Sequence, residues 1–308
     1  MTTPIQSWQD GQRVTVNSLI KNPRVLPRRV ISLLENQFIM DSILRNGGSA
    51  PGGVVYFWQS EPLFMDDDPA IKEEWGEYKI GTTSEGVPQM VVSVNRGLSV
   101  MVSEEMRRRE QMDRVQKMIN RTVNTMIRTW DKAMRDALLL NSAVPFFNAS
   151  GTDDGWFAED TDIRRDIMEA KIVVNEAEAD TVQAENFLEF DANTMVCSYQ
   201  TANQILMDKN FQNVYIGDLA SENLQYTGKL PRRILDLDVL RARTWPDDTV
   251  WIGERGTVGF HADERPLQST PLRENPDREV WRSNTSRITA IGIDEPKAGV
   301  LIKNIMGA

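Results

Sequence analysis

Histidine and cysteine occur once each, at His261 and Cys197. A single cysteine excludes an intramolecular disulfide and any CxxC metal or redox motif. Cys197 lies in the apolar run Thr194–Cys197 and reads as a small packed hydrophobe. With one histidine, Ser-His-Asp or Cys-His chemistry would rest on His261 alone, beside an Ala-Asp-Glu-Arg turn that looks mobile. No apolar run approaches the length of a membrane span, and the polar N-terminus does not read as a signal peptide, so a soluble chain made inside the cell is expected. The net charge of -10 argues against a dedicated nucleic-acid binder. Neither glycine-rich stretch carries its chemistry. Gly47–Gly53 lacks the Lys-Ser/Thr of a phosphate loop, and Gly253–Gly259 lies between strands rather than opening a helix. Asp66–Asp68 lacks calcium-loop spacing and reads as a solvated turn. No metal or cofactor is expected.

What is present is a globular composition, 26% charged and 40% hydrophobic, in a chain long enough for one large or two modest domains. Its dominant stretch runs from Ser103 to Asn141 with no Gly or Pro. Met112, Val115, Ile119, Val123, Met126, Trp130, Ala137 and Leu140 recur at helical spacing, while Arg114, Arg121, Arg128 and Arg135 fall mostly off that stripe. Ser103 is an N-cap, and Glu104 and Glu105 suit the positive end of the helix dipole. One unbroken helix over 103–141 is predicted, about 55 Å long at 1.5 Å per residue.

Residues 1–46 read as a basic arm, with Arg13, Lys21, Arg24, Arg28 and Arg29, broken at Pro23 and Pro27 and followed by an amphipathic helix from Val30 to Ile43. Gly47–Gly53 reads as a flexible joint. Val54–Trp58, Glu77–Gly81 and Met90–Val102 read as strands of a long two-stranded projection over 47–97. This ribbon carries Tyr56, Phe57, Trp58, Phe64 and Trp75, which make sense on an exposed arm if a neighbouring subunit covers them.

After the helix, Pro145–Gly155 is a break and Ile163–Glu169 a short helix. Ala179–Leu188 is another helix. Thr194–Ser198 then reads as a strand leading into a Ser-capped helix to Asp208. The remainder is β-rich: Val214–Gly217, Ile234–Val239, Thr249–Gly253, Thr257–His261, Val280-Trp281, Arg287–Ile293 and a last edge strand at Val300–Ile305.

This order, an arm, an aromatic two-stranded loop, a long helix and a β-rich C-terminal half, resembles the major capsid protein of tailed bacteriophages with the HK97-type fold. Val91–Gly97 running into Val102–Glu105 is similar to the family's passage from extended loop to spine helix. Thr194–Asp208 resembles the strand and helix of its axial domain. Asp247–Arg265 and Arg287–Lys297 resemble the late axial strands and the return to the peripheral domain. The resemblance implies an α+β HK97-like capsid fold with an N-terminal arm (1–46), extended loop (47–97), peripheral domain with the spine helix (98–175), axial domain (176–285) and a peripheral return strand (286–308).

It also implies a non-enzymatic shell subunit, assembling as hexamers and pentamers around double-stranded DNA, made in the host bacterial cytoplasm and carried in the virion capsid. Portal and scaffolding proteins are implied partners, and a decoration protein is one the family admits. Because no long coiled coil opens the chain, a separate scaffold is expected. Trp58, Phe64, Asp66, Asp67, Asp68 and Trp75 are then intersubunit contacts, with Arg107, Arg108 and Arg109 as the basic surface that receives the acidic tip. The arm's cations face packaged DNA, weakly and without sequence preference, or clasp another subunit. Lys72 and Lys79 are available for a crosslink, but no partner for one can be identified. An encapsulin-like compartment enclosing cargo enzymes shares the fold, and a hydrolase using His261 is a third reading.

Overall fold

The structure, a computed structural model, describes residues 15–34, 37–151, 155–158, 161–178, 187–208 and 231–307. Three short helices come first: α1 (Val16–Lys21), α2 (Val25–Leu34) and α3 (Met40–Ile43). Pro27 does not break the arm. It sits in the first turn of α2, where a missing N–H costs nothing, and is buried with Leu26, Val30 and Leu34. Strand β1 (Arg45–Ser49) follows, so the expected glycine joint is in part a strand. It pairs with a later strand because Gly47 lies flat on a ring: a Cβ there would stand 2.8 Å from Cδ2 of Phe260.

Strands β2 (Val54–Gln59) and β3 (Val87–Val92) pair antiparallel over six positions. The expected strand at Glu77–Gly81 is absent. Residues 60–86 form a long loop without regular structure above a short ribbon. Strand β4 (Val94–Ser103) leads into α4 (Glu104–Arg108), capped as expected by the Ser103 hydroxyl, which accepts from Met106 N–H at 3.3 Å.

The long helix is not continuous from 103 to 141. It breaks at Glu110, held at φ 46°, and resumes as α5 (Met112–Leu139), 28 residues or about 42 Å. The break has a tertiary cause. The Glu110 carboxylate accepts from Val16 N–H at 2.8 Å and from the Asn17 side chain at 3.0 Å, satisfying the start of α1. Replacing Glu110 by alanine should therefore cost about 1 kcal/mol. Amide exchange should accelerate at Val16 first, and Glu110→Gln should lose less. Unchanged protection of Val16 would disprove the cap.

The chain continues through β5 (Phe146–Asn148), inside the expected break, and α6 (Ile163–Asn175), longer than expected. Next come β6 (Thr194–Cys197) and α7 (Tyr199–Met207), whose N-cap Ser198 accepts from Thr201 N–H at 3.2 Å. Strands β7 (Arg233–Ile234) and β8 (Leu237–Arg241) form a tight hairpin through Leu235 and Asp236, both at positive φ. Then follow β9 (Thr249–Gly253), β10 (Phe260–Ser269), β11 (Arg273–Asn275), β12 (Val280–Gly292) and β13 (Gly299–Lys303). Of the helix expected over Ala179–Leu188, residues 179–186 lie outside the described residues and Phe187 forms an isolated antiparallel bridge with Glu178; the strand expected at Val214–Gly217 also lies outside them.

Two sheets result. The five-stranded one runs β1-β10-β12-β11, with β4 on the other edge of β12. Thus β12 is its 13-residue centre, uniting two segments expected to be separate. The six-stranded sheet runs β5-β13-β9-β6-β8-β7. Here β13 is no edge strand: β5 and β9 flank it and its first four residues are buried. Helices α2 and α5 pack with the first sheet through Val30, Ile119, Met126, Trp130 and Val100. Helices α6 and α7 cover the second through Ile167, Val174, Ile205, Met195 and Val250. Cys197 lies in this second core, and burial pushes its thiol up to about 12, which keeps it inert.

Candidate assembly surface

The ribbon is fastened to the body along the inward face of β2, as far as the first residue of the loop. Phe57 meets Phe260 edge to face at 5.1 Å, the Gln59 side chain donates to Ile293 O at 3.1 Å, and Ser60 N–H donates to Asp294 O at 2.9 Å. Alternation along β2 then turns Tyr56 and Trp58 outward. Beyond Glu61, whose backbone hydrogen-bonds the Glu295 carboxyl, the loop bonds to itself. Asp67 pairs with Lys79 at 2.6 Å and accepts from the amide and hydroxyl of Thr82, and these contacts pull its carboxyl down to about 2. Ser84 donates to Asp66 at 2.8 Å, and Lys72 stands 4.3 Å over the Tyr78 ring.

The apolar side chains of the loop have no such internal cover. Trp58 and Phe64 are about half exposed, Trp75 is 95% exposed and Ile71 fully so. Trp75 also sits at φ 72°, a strained position for a bulky residue, which holds its indole out at a turn closed by Gly76 N–H to Glu73 O at 3.0 Å. Asp68 is exposed beside them. On the body, between the ribbon base and the end of α5, a groove of about 630 Å³ is lined by Val91, Ala137, Leu140, Ile291 and Ile293.

The three arginines expected to receive the loop are partly occupied within their own helix. Arg107 and Arg108 share Glu104 at 2.6 and 3.0 Å, and Arg109 reaches Glu105 at 3.7 Å. Arg107 also lies 5.2 Å over Trp281. Three cations against two carboxylates leave a small positive excess. Of the arm's cations, Lys21, Arg24 and Arg28 are exposed and Arg29 is half-buried; Arg13 lies outside the described residues.

Two charged clusters lie under the ribbon. His261 is buried inside β10, not in a mobile turn, with its Nε2 3.9 Å from Asp41, beyond hydrogen-bond reach. Burial, and secondarily Arg287, keeps it below the usual histidine range. Nearby, Glu295 is pushed up to about 7 by burial first and then by Asp294, which is itself raised by burial although Arg45 pairs with it.

The sign for Glu295 is that of a carboxyl protonated in the fold up to about pH 7 but ionised in the unfolded chain from its ordinary 4.5. Its contribution to stability is complete below pH 4.5 and is lost as pH rises through 7. Glu295→Gln should therefore raise the melting temperature at pH 8 more than at pH 5. An equal shift at both pH values would refute the assignment.

The family model described as phage capsid protein matches residues 88–302, more than two-thirds of the chain. No curated protein sequence matches it. Among solved structures, the capsid of an empty GTA particle is similar over 88% of this chain and 90% of its own, at 13% identity and a TM-score of 0.59. Gordonia phage Cozz is similar over 98% and 99%, at 12% and 0.58. A virus-like particle from Pyrococcus furiosus covers 90% and 97%, at 12% and 0.56. At such identities the likeness is one of fold, and that fold is the α+β HK97-like capsid fold. The chain belongs to the phage capsid protein family and is a structural protein of a capsid shell.

Proposed function

We propose that the protein is a major capsid protein whose copies assemble as hexamers and pentamers into the icosahedral head of a tailed phage. It acts by packing and not by catalysis. The observation that carries this reading is the loop of residues 60–86, whose aromatic and aliphatic side chains are left from half to fully exposed on their own chain. Fully burying one such side chain contributes about 1.5–3 kcal/mol, so a loop laid on a sister copy gains what the monomer forgoes.

The groove by Ile291 and Leu140 offers apolar cover of that kind. Arg107, Arg108 and Arg109, with their positive excess, suit the acidic tip at Asp66, Asp67 and Asp68. Trp58, Phe64 and Trp75 are the apolar part of the same contact. The first sheet then serves as the peripheral part and the second as the axial part, which moves β10 and β11 out of the axial range expected at 176–285 and puts β13, expected as the peripheral return over 286–308, in the axial part. A scaffolding protein, a portal and a decoration protein are the proposed partners, and double-stranded DNA is the content. The protein is then made in the host cytoplasm and ends in the virion. In the arm, Lys21, Arg24 and Arg28 remain exposed for DNA or a neighbour, with Arg13 and Arg29 in the same segment.

Electron microscopy of the purified protein tests the assembly. Closed shells with five- and six-fold units are expected, and a monodisperse monomer at high concentration would reject the reading. The contents of particles from producing cells separate a DNA-filled head from a compartment around an enzyme.

A further inference from the structure

The solvent face of α5 carries a feature that loop docking does not use. Arg114, Lys117, Arg121, Arg128 and Lys132 are all exposed. At 3.6 residues per turn they fall within an arc of about 60° and run for about 27 Å along the helix. Among the described residues none of the five has an ion pair, whereas Arg107, Arg108, Arg109 and Arg135 all do. Acidic side chains on this helix are few: Asp113 is exposed, Asp136 is partly exposed and paired with Arg135, and Asp131 is buried. The interleaved exposed positions, Asn124 and Thr129, are polar, and no exposed large apolar side chain occurs between Met112 and Leu139. In a chain of net charge -10, this is a concentrated, uncompensated row of positive charge.

We propose that this row is a sequence-independent binding surface for the phosphate backbone of duplex DNA. It rests on the reading of the protein as a shell around a genome and names which face of the subunit meets that genome. The chemistry selects the partner. The acidic loop of a second copy carries Trp75, Ile71 and Tyr78 among its carboxylates and needs an apolar receiver, which this face lacks. A duplex backbone is a hydrated polyanion with evenly spaced charge, and it needs only cations and polar donors. The row touches no base edge, so it confers no sequence preference.

The test measures binding of the full chain to two fluorescent duplexes of unrelated sequence, each long enough to span the row, over a range of salt. Equal affinities are expected, in the range of about 1–100 μM, falling steeply with salt. In the variant combining Arg114→Gln, Lys117→Gln, Arg121→Gln, Arg128→Gln and Lys132→Gln, the log–log salt slope should shrink by about 4.5, and by about 0.9 for Arg121→Gln alone. The single variant decides the matter should the fivefold one fold poorly. Empty shells of the fivefold variant should look normal by electron microscopy.

Duplex binding unchanged in either variant overturns the proposal. So does a loss of shells in the fivefold variant that is matched by neutralising Asp68, Glu73, Glu74 and Glu77, because the row would then receive the loop. Wild-type chains that bind duplex through the row but never form particles would strike the shell reading and leave the DNA surface standing.

Discussion

Replacing residues 61–85 by a short turn is expected to leave a subunit that folds and melts near the parent temperature yet forms no closed shell. The expectation follows from where the loop's contacts go. Asp66, Asp67, Lys79, Thr82 and Ser84 bond to one another. The anchors at Phe57, Gln59 and Ser60 lie outside the deletion, and the six β2–β3 pairs remain. The body therefore loses little. What disappears is the exposed set of Leu63, Phe64, Met65, Ile71, Trp75 and Ile80, of no use to a monomer. A shell multiplies each contact over many subunits, so losing several kcal/mol per interface abolishes assembly rather than weakening it. Sedimentation and electron microscopy read the outcome together with thermal melting. Shells of normal size from the deleted protein would remove the loop from the interface, and a collapse in melting temperature would show that it belongs to the monomer's core.

Much of this was legible in the residues. The three-four spacing from Val115 to Trp130 marks the buried face of α5, and Ser103 and Ser198 cap the helices their positions suggest. These are local signals, set within a few turns of chain. The misses share a tertiary cause. Nothing near Glu110 marks a break; the break follows from a carboxylate drawn to Val16, 94 residues away. Gly47 reads as a joint because its partner, the ring of Phe260, is remote in sequence. Glu77–Gly81 alternates like a strand but finds no strand to pair with, and pattern without a partner makes no sheet. The cationic row was visible as arginines off the apolar stripe. Its signal is clearest at Arg121 and Arg128, which have no acidic residue at i±4. Arg114, Lys117 and Lys132 each have one (Glu110, Asp113 and Asp136) that the fold leaves unpaired with them, and the arginine triplet is partly neutralised by Glu104 and Glu105.

The largest expected loss of stability lies under the ribbon, at Arg287. The exposed-polar, buried-apolar alternation of a surface sheet fails along the middle of β12, where Ser283, Thr285, Arg287 and Thr289 all point inward. Arg287 is buried, with 5% of its surface exposed. Its Nε donates to Asp263 at 2.9 and 3.1 Å and its Nη1 to Asp41 at 3.2 Å, and Thr289 adds a 2.6 Å bond to Asp263. One side chain thus joins β12 to β10 and to α3, the elements from which β1 and the ribbon depart. Truncation to Arg287→Met keeps much of the stem's volume but leaves the Asp263 carboxylate partly buried beside Thr289 without its counter-charge. Breaking one partner of such a pair costs about 3–5 kcal/mol, on the order of 10 °C in melting temperature for a chain of this size. Arg287→Lys should recover only part, because an ammonium cannot reproduce the fork that spans two carboxylates. The deciding comparison is the double variant Arg287→Met with Asp263→Leu. If charge pairing is the cause, removing both partners restores several kcal/mol relative to the single variant. If the double variant is as unstable as the sum of its parts, the pair is incidental and the guanidinium's position over the Phe38 ring, 6.0 Å from its centroid, is what holds this junction.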